Sequence, residues 1–296
     1  MLLASIPSPS SGQFDLPGPL PAVHAYGLTL LLAIVAAIVV TKWRWGRRPG
    51  DLDLILRVAV WGVAAGIVGA RLYHVVTSWE DVPDPKWKGV FEVWEGGLGI
   101  WGGILFGVLA GAIVIKRSGG MVLQALDAVA PALLVAQGIG RLGNWWNQEL
   151  YGKPTDLPWG LEIDDAHNQD FPAGTTFHPT FLYELLWDFA GAAVVIFVAR
   201  RWRIRPPALF SLYVSWYTFG RFFEEQLRID PSTIVWGMRL NAWVSLVVFI
   251  ASSLFFIWWQ IYDRRLPGLT LRRSRRRRAE GRPAMAVPRA RIRPRR

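Results

Sequence analysis

The chain has no cysteine. This excludes a disulfide scaffold, a thiolate metal site and a thiol nucleophile of the protein's own. Any thiol in the chemistry then comes from the substrate. Histidine is scarce, at four residues, and His167 and His178 form no metal pair with nearby acids; neither a metal nor a cofactor is expected. There is no Gly-x-Ser-x-Gly, the nucleophile elbow of many hydrolases. Residues 1–21 lack the basic start and continuous apolar core of a cleaved secretory signal. With five prolines they read as an irregular leader. Most decisive is the lack of charge over long runs. Asp15 and Lys42 enclose 26 uncharged residues, Glu95 and Lys116 enclose 20, and Leu240 to Tyr262 adds 23. About 20 apolar residues span the ~30 Å bilayer core as a helix. Three such runs exclude an ordinary soluble domain and a single-span anchor.

What charge there is lies unevenly. Residues 264–296 hold 14 arginines against Glu280 alone. The other 263 residues carry 19 basic and 21 acidic side chains, so the body is near neutral. The remaining basic clusters are Lys42 to Arg48, Lys116–Arg117 and Arg200 to Arg205. Hydropathy predicts seven membrane helices near 24–41, 54–73, 98–115, 121–141, 180–199, 207–221 and 239–262. Seven crossings place all the basic clusters on one side, as expected of cytoplasmic segments. The first residues then face outward and the tail inward. The expected fold is therefore all-α: a polytopic membrane domain over 22–262, with a small external head at 142–179 between the fourth and fifth helices. The loops 74–97 and 222–238 would also face outward. The 263–296 tail reads as disordered, cytoplasmic and drawn to anionic lipid, each arginine contributing ~1 kcal/mol, rather than to nucleic acid.

Gly62 and Gly66, and Gly103, Gly107 and Gly111, stand at small-xxx-small spacing and are expected to pack helices closely. Gly97 to Gly102 formally matches GxGxxG, but no strand precedes it, so a dinucleotide site is not expected.

Three arginines break the orientation rule. Arg71, Arg141 and Arg221 end the second, fourth and sixth predicted helices, all near the outer face. One such cation could serve a helix dipole, worth ~0.3–1 kcal/mol. Three with acids beside them point to a phosphate-bearing ligand, because guanidinium binds oxyanions bidentately. Glu149 follows Arg141, Glu225 follows Arg221 by one turn, and Glu184 and Asp188 share a face of the fifth helix.

The stretch Gly140-Arg-Leu-Gly-Asn-Trp-Trp-Asn-Gln-Glu149-Leu-Tyr-Gly152 closely resembles the signature of the prolipoprotein diacylglyceryl transferase family. Further segments resemble it in order: His24-Ala-Tyr26-Gly, Gly69-Ala-Arg71-Leu, Trp94-Glu-Gly-Gly97 with Gly102-Gly103, His178-Pro-Thr-Phe-Leu-Tyr183-Glu184, and Arg221-Phe-Phe-Glu-Glu225-Gln-Leu-Arg228. The resemblance spans roughly residues 22–262. It implies seven membrane helices with an external head in a bacterial inner membrane. It also implies transfer of the diacylglyceryl group of phosphatidylglycerol to the lipobox cysteine thiol of a preprolipoprotein signal peptide. Tyr26, Asn144, Glu149, Arg221 and Glu225 would be catalytic, and Arg141, Arg71 and Arg221 would bind phosphatidylglycerol.

One position departs. Many members have His before the Gly-Gly pair of the third helix, where this chain has Trp101, which accepts no proton. His24 and His178 are the remaining base candidates. Asn144 could orient a headgroup hydroxyl, and Glu149 or Glu225 could hold an arginine or accept that hydroxyl's proton. The non-enzyme alternative is a polytopic transporter or channel for an anionic substrate.

Overall fold

The structure, a computed structural model, describes residues 5–14, 23–45, 51–93, 96–168 and 171–264. Most of the leader, Arg47–Arg48, the Trp94-Glu95 pair and the arginine tail from residue 265 on lie outside the described residues.

Among the described residues, eight α-helices run in chain order: α1 (Ala25–Trp45), α2 (Asp51–Thr77), the short α3 (Lys86–Gly89), α4 (Ile100–Arg117), α5 (Val122–Trp146), α6 (Thr180–Arg201), α7 (Ala208–Leu227) and α8 (Leu240–Arg264), with a one-turn 3-10 helix at Trp79–Asp81 between α2 and α3. All but α3 fall on the predicted spans. Three two-stranded antiparallel hairpins complete the described elements: β1 (Gln13–Phe14) with β2 (Val23–His24), β3 (Leu161–Glu162) with β4 (Thr176–Phe177), and β5 (Ile234–Val235) with β6 (Met238–Arg239). Six helices, α1, α2, α4, α5, α6 and α8, are long and apolar enough to cross a membrane. Large apolar side chains stand exposed along α1, α2, α4 and α8, among them Leu31, Val60, Leu105 and Leu254. Such surfaces need lipid around them. The chain is a mostly helical, polytopic membrane protein.

α7 is not among the six. It carries Ser211, Ser215, Thr218, Arg221, Glu224 and Glu225, and all but Arg221 are buried. Its polar groups find partners on neighbouring helices, as intramembrane polar groups must. The Ser211 hydroxyl donates to the Ser252 carbonyl of α8 (2.7 Å), and the Ser215 and Ser252 hydroxyls bond each other (2.8 Å). The first turn of α7 has no side-chain cap of its own. Asp127 of α5 supplies one by accepting the Phe210 amide (3.0 Å), satisfying a donor that the helix start leaves open.

α5 is the central helix. It packs against α1, α6 and α7, and its Ala130, Ala132 and Leu134 are fully buried. Its alanines and glycines let neighbours approach closely. Ala130 and Leu134 meet Ala192 and Val195 of α6 and Leu209 of α7 in one apolar cluster. α2 and α4 pair through glycine: a Cβ on Gly69 would strike the Gly102 carbonyl, and one on Gly66 would press on that of Gly103. α6 and α7 are pinned by two tryptophans. Trp187 and Trp216 stack at 4.5 Å, and each indole N–H donates to the other residue's carbonyl (3.0 and 2.9 Å). Trp187 lies on Gly220 and Trp216 on Gly191.

The helix ends that carry basic residues come together. Arg200 lies over the Trp43 ring at 5.0 Å, and Arg205 over Trp259 at 4.5 Å. The 142–179 segment builds its own small core, in which Leu161, Ile163 and Phe177 are buried with Phe181. The leader is more regular than its composition suggests. Ile6 bridges Leu161 in parallel, its N–H donating to the Gly160 carbonyl and its carbonyl accepting the Glu162 amide (both 2.9 Å). A proline-broken strand can still pair along one edge.

Candidate active site

The arginines do not end their helices, as expected from the sequence, but stand five or six residues before the ends. α2 runs on from Arg71 to Thr77, α5 from Arg141 to Trp146, and α7 from Arg221 to Leu227. Their carbonyls are therefore paired within the helix, so the terminal dipole does not account for three cations. The partners do.

On α5, Arg141 Nη2 meets Glu184 Oε1 of α6 at 2.5 Å, and its Nη1 reaches Asn144 Oδ1 at 3.4 Å. The Asn144 amide donates in turn to Glu149 Oε1 (2.7 Å). A sharp turn after α5 puts Glu149 there, with Gln148 and Leu150 both in the left-handed region (φ 51° and 59°). That conformation costs about 1–3 kcal/mol for a side-chain-bearing residue and is a mark of functional turns. The turn is held open by its neighbours: Gln148 Nε2 donates to Asp164 Oδ2 (2.6 Å) and to the Pro9 carbonyl (3.1 Å). His167 beside it donates to Asp164, and that bond, more than any other, holds the Asp164 carboxyl below the usual carboxylate range.

On α7, Arg221 touches three acids. Its Nη1 lies 2.7 Å from Glu224 Oε2 and 3.7 Å from Glu184 Oε2, and its Nη2 contacts Glu225 Oε1. Glu184 thus joins Arg141 to Arg221 across three helices. Glu225 is fully buried, and its second oxygen accepts Arg239 Nε at 2.7 Å. Arg239, on β6, also donates to the Asp230 carboxylate (2.9 Å) and the Asp230 carbonyl (2.7 Å), while Arg228 Nε holds the other Asp230 oxygen (2.6 Å). Burial alone would raise the Asp230 carboxyl, but the hydrogen bonds and charges of Arg228 and Arg239 outweigh it and keep it low. One continuous network runs from Glu149 through Asn144, Arg141, Glu184, Arg221, Glu225 and Arg239 to Asp230.

Of the residues singled out from the sequence, the structure brings together Arg141, Asn144, Glu149, Arg221 and Glu225. Tyr26 joins them by packing, since its ring lies against Gly143, inside the signature. Arg71 does not join them. Its three guanidinium nitrogens donate to backbone carbonyls: Nε to Val90 (3.0 Å), Nη1 to Gly96 (2.7 Å) and Gly97 (3.0 Å), and Nη2 to Gly89. It clamps the segment leading into α4. The base candidates stand apart from the guanidiniums. His24 Nε2 bonds the Gln13 amide (2.9 Å) at the edge of a polar cavity of about 350 Å³, which Glu149 and Gln148 also line. His178 Nδ1 bonds the Tyr183 hydroxyl (3.2 Å). Burial, and then the charge of Lys153, hold its imidazole below its usual range. Trp101 opens α4 at 59 % exposure, on an outward apolar surface.

Three members of the network escaped sequence reasoning: Arg239, Asp230, which Arg239 and Arg228 hold, and Glu224. Arg239 lies in a hairpin just before α8, where it reads as an interfacial cation, and Glu224 reads as the neighbour of the spaced Arg221–Glu225 pair. The signal available was the run Arg221-Phe-Phe-Glu224-Glu225, which puts two acids, at i+3 and i+4, within one turn of the same arginine.

This arrangement concentrates guanidinium groups from separate helices in a buried place, with an amide and a carboxylate leading to a polar cavity. It suits an anion that arrives with an apolar body. Comparison with known proteins identifies relatives. The family model described as prolipoprotein diacylglyceryl transferase matches residues 13–258. The phosphatidylglycerol–prolipoprotein diacylglyceryl transferase of Cutibacterium acnes is 48 % identical over 259 residues, covering 86 % of this chain and 86 % of that protein. That of Bifidobacterium adolescentis is 44 % identical over 272 residues, covering 87 % and 80 %. A third, from Streptomyces coelicolor, is 47 % identical over 258 residues, covering 85 % and 80 %.

Proposed function

The chain belongs to the prolipoprotein diacylglyceryl transferase family, and from that premise we propose how its arginine–glutamate network works. The enzyme transfers the diacylglyceryl group of phosphatidylglycerol to prolipoprotein, the first step of lipoprotein maturation. The acceptor is the thiol of the lipobox cysteine. The chain supplies no thiol of its own, in keeping with a nucleophile brought by the substrate. The family assignment sets the transporter reading aside.

The observation that carries the reading is that Arg141 and Arg221, on different helices, meet at the same buried Glu184. A phosphodiester that displaces this carboxylate would be held by both guanidiniums. Preorganised donors aimed at developing charge are usually the largest catalytic contribution, and the charge here develops on the phosphate as the glycerol C–O bond breaks. Glu149, which lines the polar cavity, and Asn144, which donates to it, orient the headgroup glycerol. Glu225, fixed by Arg239, orients Arg221. Tyr26 lines the approach at Gly143. Arg71 acts at one remove, by holding the 89–97 segment in front of α4.

α7 is the sixth of seven spans in chain order, added to the six that are apolar enough on their own. Its charged turn is shielded by α5, α6 and α8 rather than by lipid, so length and partners, not mean apolarity, carry it across. The 142–179 segment is the external head, with the leader strapped to it. The orientation in a bacterial inner membrane follows the basic clusters: N-terminus outside, arginine tail cytoplasmic. The meeting of Arg200 with Trp43 and of Arg205 with Trp259 supports one basic face.

The direct test is a lipid assay with purified protein. Phosphatidylglycerol should be consumed and glycerol phosphate released only when a lipobox peptide with its cysteine is present. Consumption with a Cys→Ser peptide at the same rate would contradict the transfer.

A further inference from the structure

A second cavity, of about 290 Å³, lies between α6 and α7. Its walls are aromatic, from Tyr183, Trp187, Phe219 and Phe223, and the charged residues lining it are Glu184 and Glu224. An acyl chain gains nothing from two carboxylates, and a phosphate is repelled by them. A small group that donates a hydrogen fits, and a thiol on an apolar peptide is such a group.

Glu184 and Glu224 come from different helices, yet both face Arg221 Nη1, at 3.7 and 2.7 Å, and their carboxyl groups contact each other. The groups around them are Arg141 of α5, Arg221 and Tyr217 of α7 and Asp188 of α6. Charge in this region is closely matched. Arg141, Arg221, Arg228 and Arg239 face Glu184, Glu224, Glu225 and Asp230, four against four, and Glu149 at the far end of the network adds a fifth acid. Asp188 is not yet counted; it is fully buried, one turn from Glu184, and neither of its oxygens has a hydrogen-bond partner. The network therefore holds no spare positive charge for an incoming phosphodiester. An anion added to a buried, balanced site is costly, and the simplest compensation is a proton. The reaction has one proton to discard, that of the thiol.

Resting on the transferase reading above, we propose that phosphatidylglycerol binding turns the Glu184–Glu224 pair into the acceptor of the cysteine proton. The phosphate takes over Arg141 and Arg221, and the two carboxylates lose their cations. Deprived of these partners and in mutual contact, they are accommodated by one shared proton, as paired buried carboxyls are. They take that proton from the S–H group at the cavity. The sulfur electron pair forms the S–C bond, the glycerol C–O bond breaks, and its electrons stay on the phosphate oxygen. As glycerol phosphate leaves, the proton passes to it or to water, and both ion pairs with arginine re-form. Lipid binding thus precedes thiol activation, and the thiol is not ionised in an enzyme without lipid.

The test compares a lipobox peptide bearing cysteine with one bearing selenocysteine, whose selenol is already ionised near neutral pH. The proteins are the full chain and its Glu184→Gln/Glu224→Gln double variant, in nanodiscs containing phosphatidylglycerol. General-base loss predicts a fall of about 10²–10⁴-fold in the variant with the cysteine peptide. The selenocysteine peptide should lose far less. An equal loss with both peptides, or none with cysteine, overturns the proposal. If the unaltered enzyme consumes no lipid with either peptide, it is the transferase reading that fails. A second measurement needs no variant. Adding a non-reactive phosphonate analogue of phosphatidylglycerol, with CH2 in place of the scissile oxygen, to the native enzyme holding the cysteine peptide should raise the thiolate absorbance with no proton released to weak buffer; no thiolate, or about one proton released per thiolate formed, overturns the proposal.

Discussion

Replacing Arg141 with alanine separates stability from chemistry. Arg141 makes one short ion pair, to Glu184 at 2.5 Å, and one long hydrogen bond, to Asn144 at 3.4 Å. Its removal does not orphan Glu184, which keeps Arg221 at 3.7 Å. Loss of a single hydrogen bond to a charged partner costs about 1.5–3 kcal/mol, well short of the roughly 3–5 kcal/mol for a buried charge left alone. The variant should therefore insert and fold, with a modest fall in melting temperature. Chemistry should suffer more. One of two guanidiniums aimed at the departing phosphate is gone, and loss of one such donor typically costs about 10²–10³-fold in kcat. The assay follows glycerol phosphate release by purified protein in nanodiscs, with thermal unfolding recorded on the same sample. Arg141→Lys should recover only part of the rate, because an ammonium cannot hold a phosphate bidentately while reaching Asn144. Turnover within about threefold of the unaltered enzyme, in a folded Arg141→Ala variant, would refute the phosphate role; a factor that small is well under 1.4 kcal/mol.

Other residues are expected to respond differently. Arg239→Ala leaves the fully buried Glu225 with Arg221 and the Asp230 carboxylate with Arg228. It should destabilise by roughly 1.5–3 kcal/mol for each charged hydrogen bond lost, visible as a lowered melting temperature, and an unchanged one would show that the pairing is dispensable. Arg71→Met removes the donors that hold the Gly89, Val90, Gly96 and Gly97 carbonyls. Hydrogen exchange in 89–97 should rise while lipid affinity changes little; the opposite pattern would place Arg71 against the lipid. His178 gives a pH dependence. Its imidazole sits below its usual value because of burial and then Lys153, so the unfolded chain binds the proton first. Stability should drop as pH falls through roughly 6.5, and His178→Asn should lose that part of the drop; parallel melting curves from about pH 7.5 to about pH 5.5 would contradict it.

Much of this architecture is written in short-range pattern. Twenty or more uncharged residues in a row can hardly be anything but a span, so the helices fall within a few residues of their expected places. α2, α5 and α7 run past their expected ends, because an arginine with partners on neighbouring elements does not stop a helix. Arg141 and Arg221 carry their charges inside the last turns, on the inner side, where partners replace water. The glycine spacing of α2 and α4 announces close packing because a small residue every fourth position is a local property. The site is legible where function is concentrated in one stretch, as from Gly140 to Gly152. It is not legible where it depends on which helix faces which. Arg71 and Arg141 look alike in sequence, each an arginine near a helix end after a small residue. Only the tertiary fold sends one into a ring of carbonyls and the other onto Glu184. Arg239 likewise acquires its meaning from Glu225, 14 positions earlier and on another element. The leader's pairing with Leu161 rests on two backbone hydrogen bonds that no side-chain pattern encodes.

The most direct measurement is a structure of the enzyme in lipid with phosphatidylglycerol, or its non-reactive phosphonate analogue, bound. The headgroup phosphate should lie between Arg141 and Arg221, within hydrogen-bond reach of both, with the Glu184 carboxylate moved away from Arg141. A phosphate held elsewhere, with Arg141 still paired to Glu184 and Arg221 still paired to Glu224, would contradict the account.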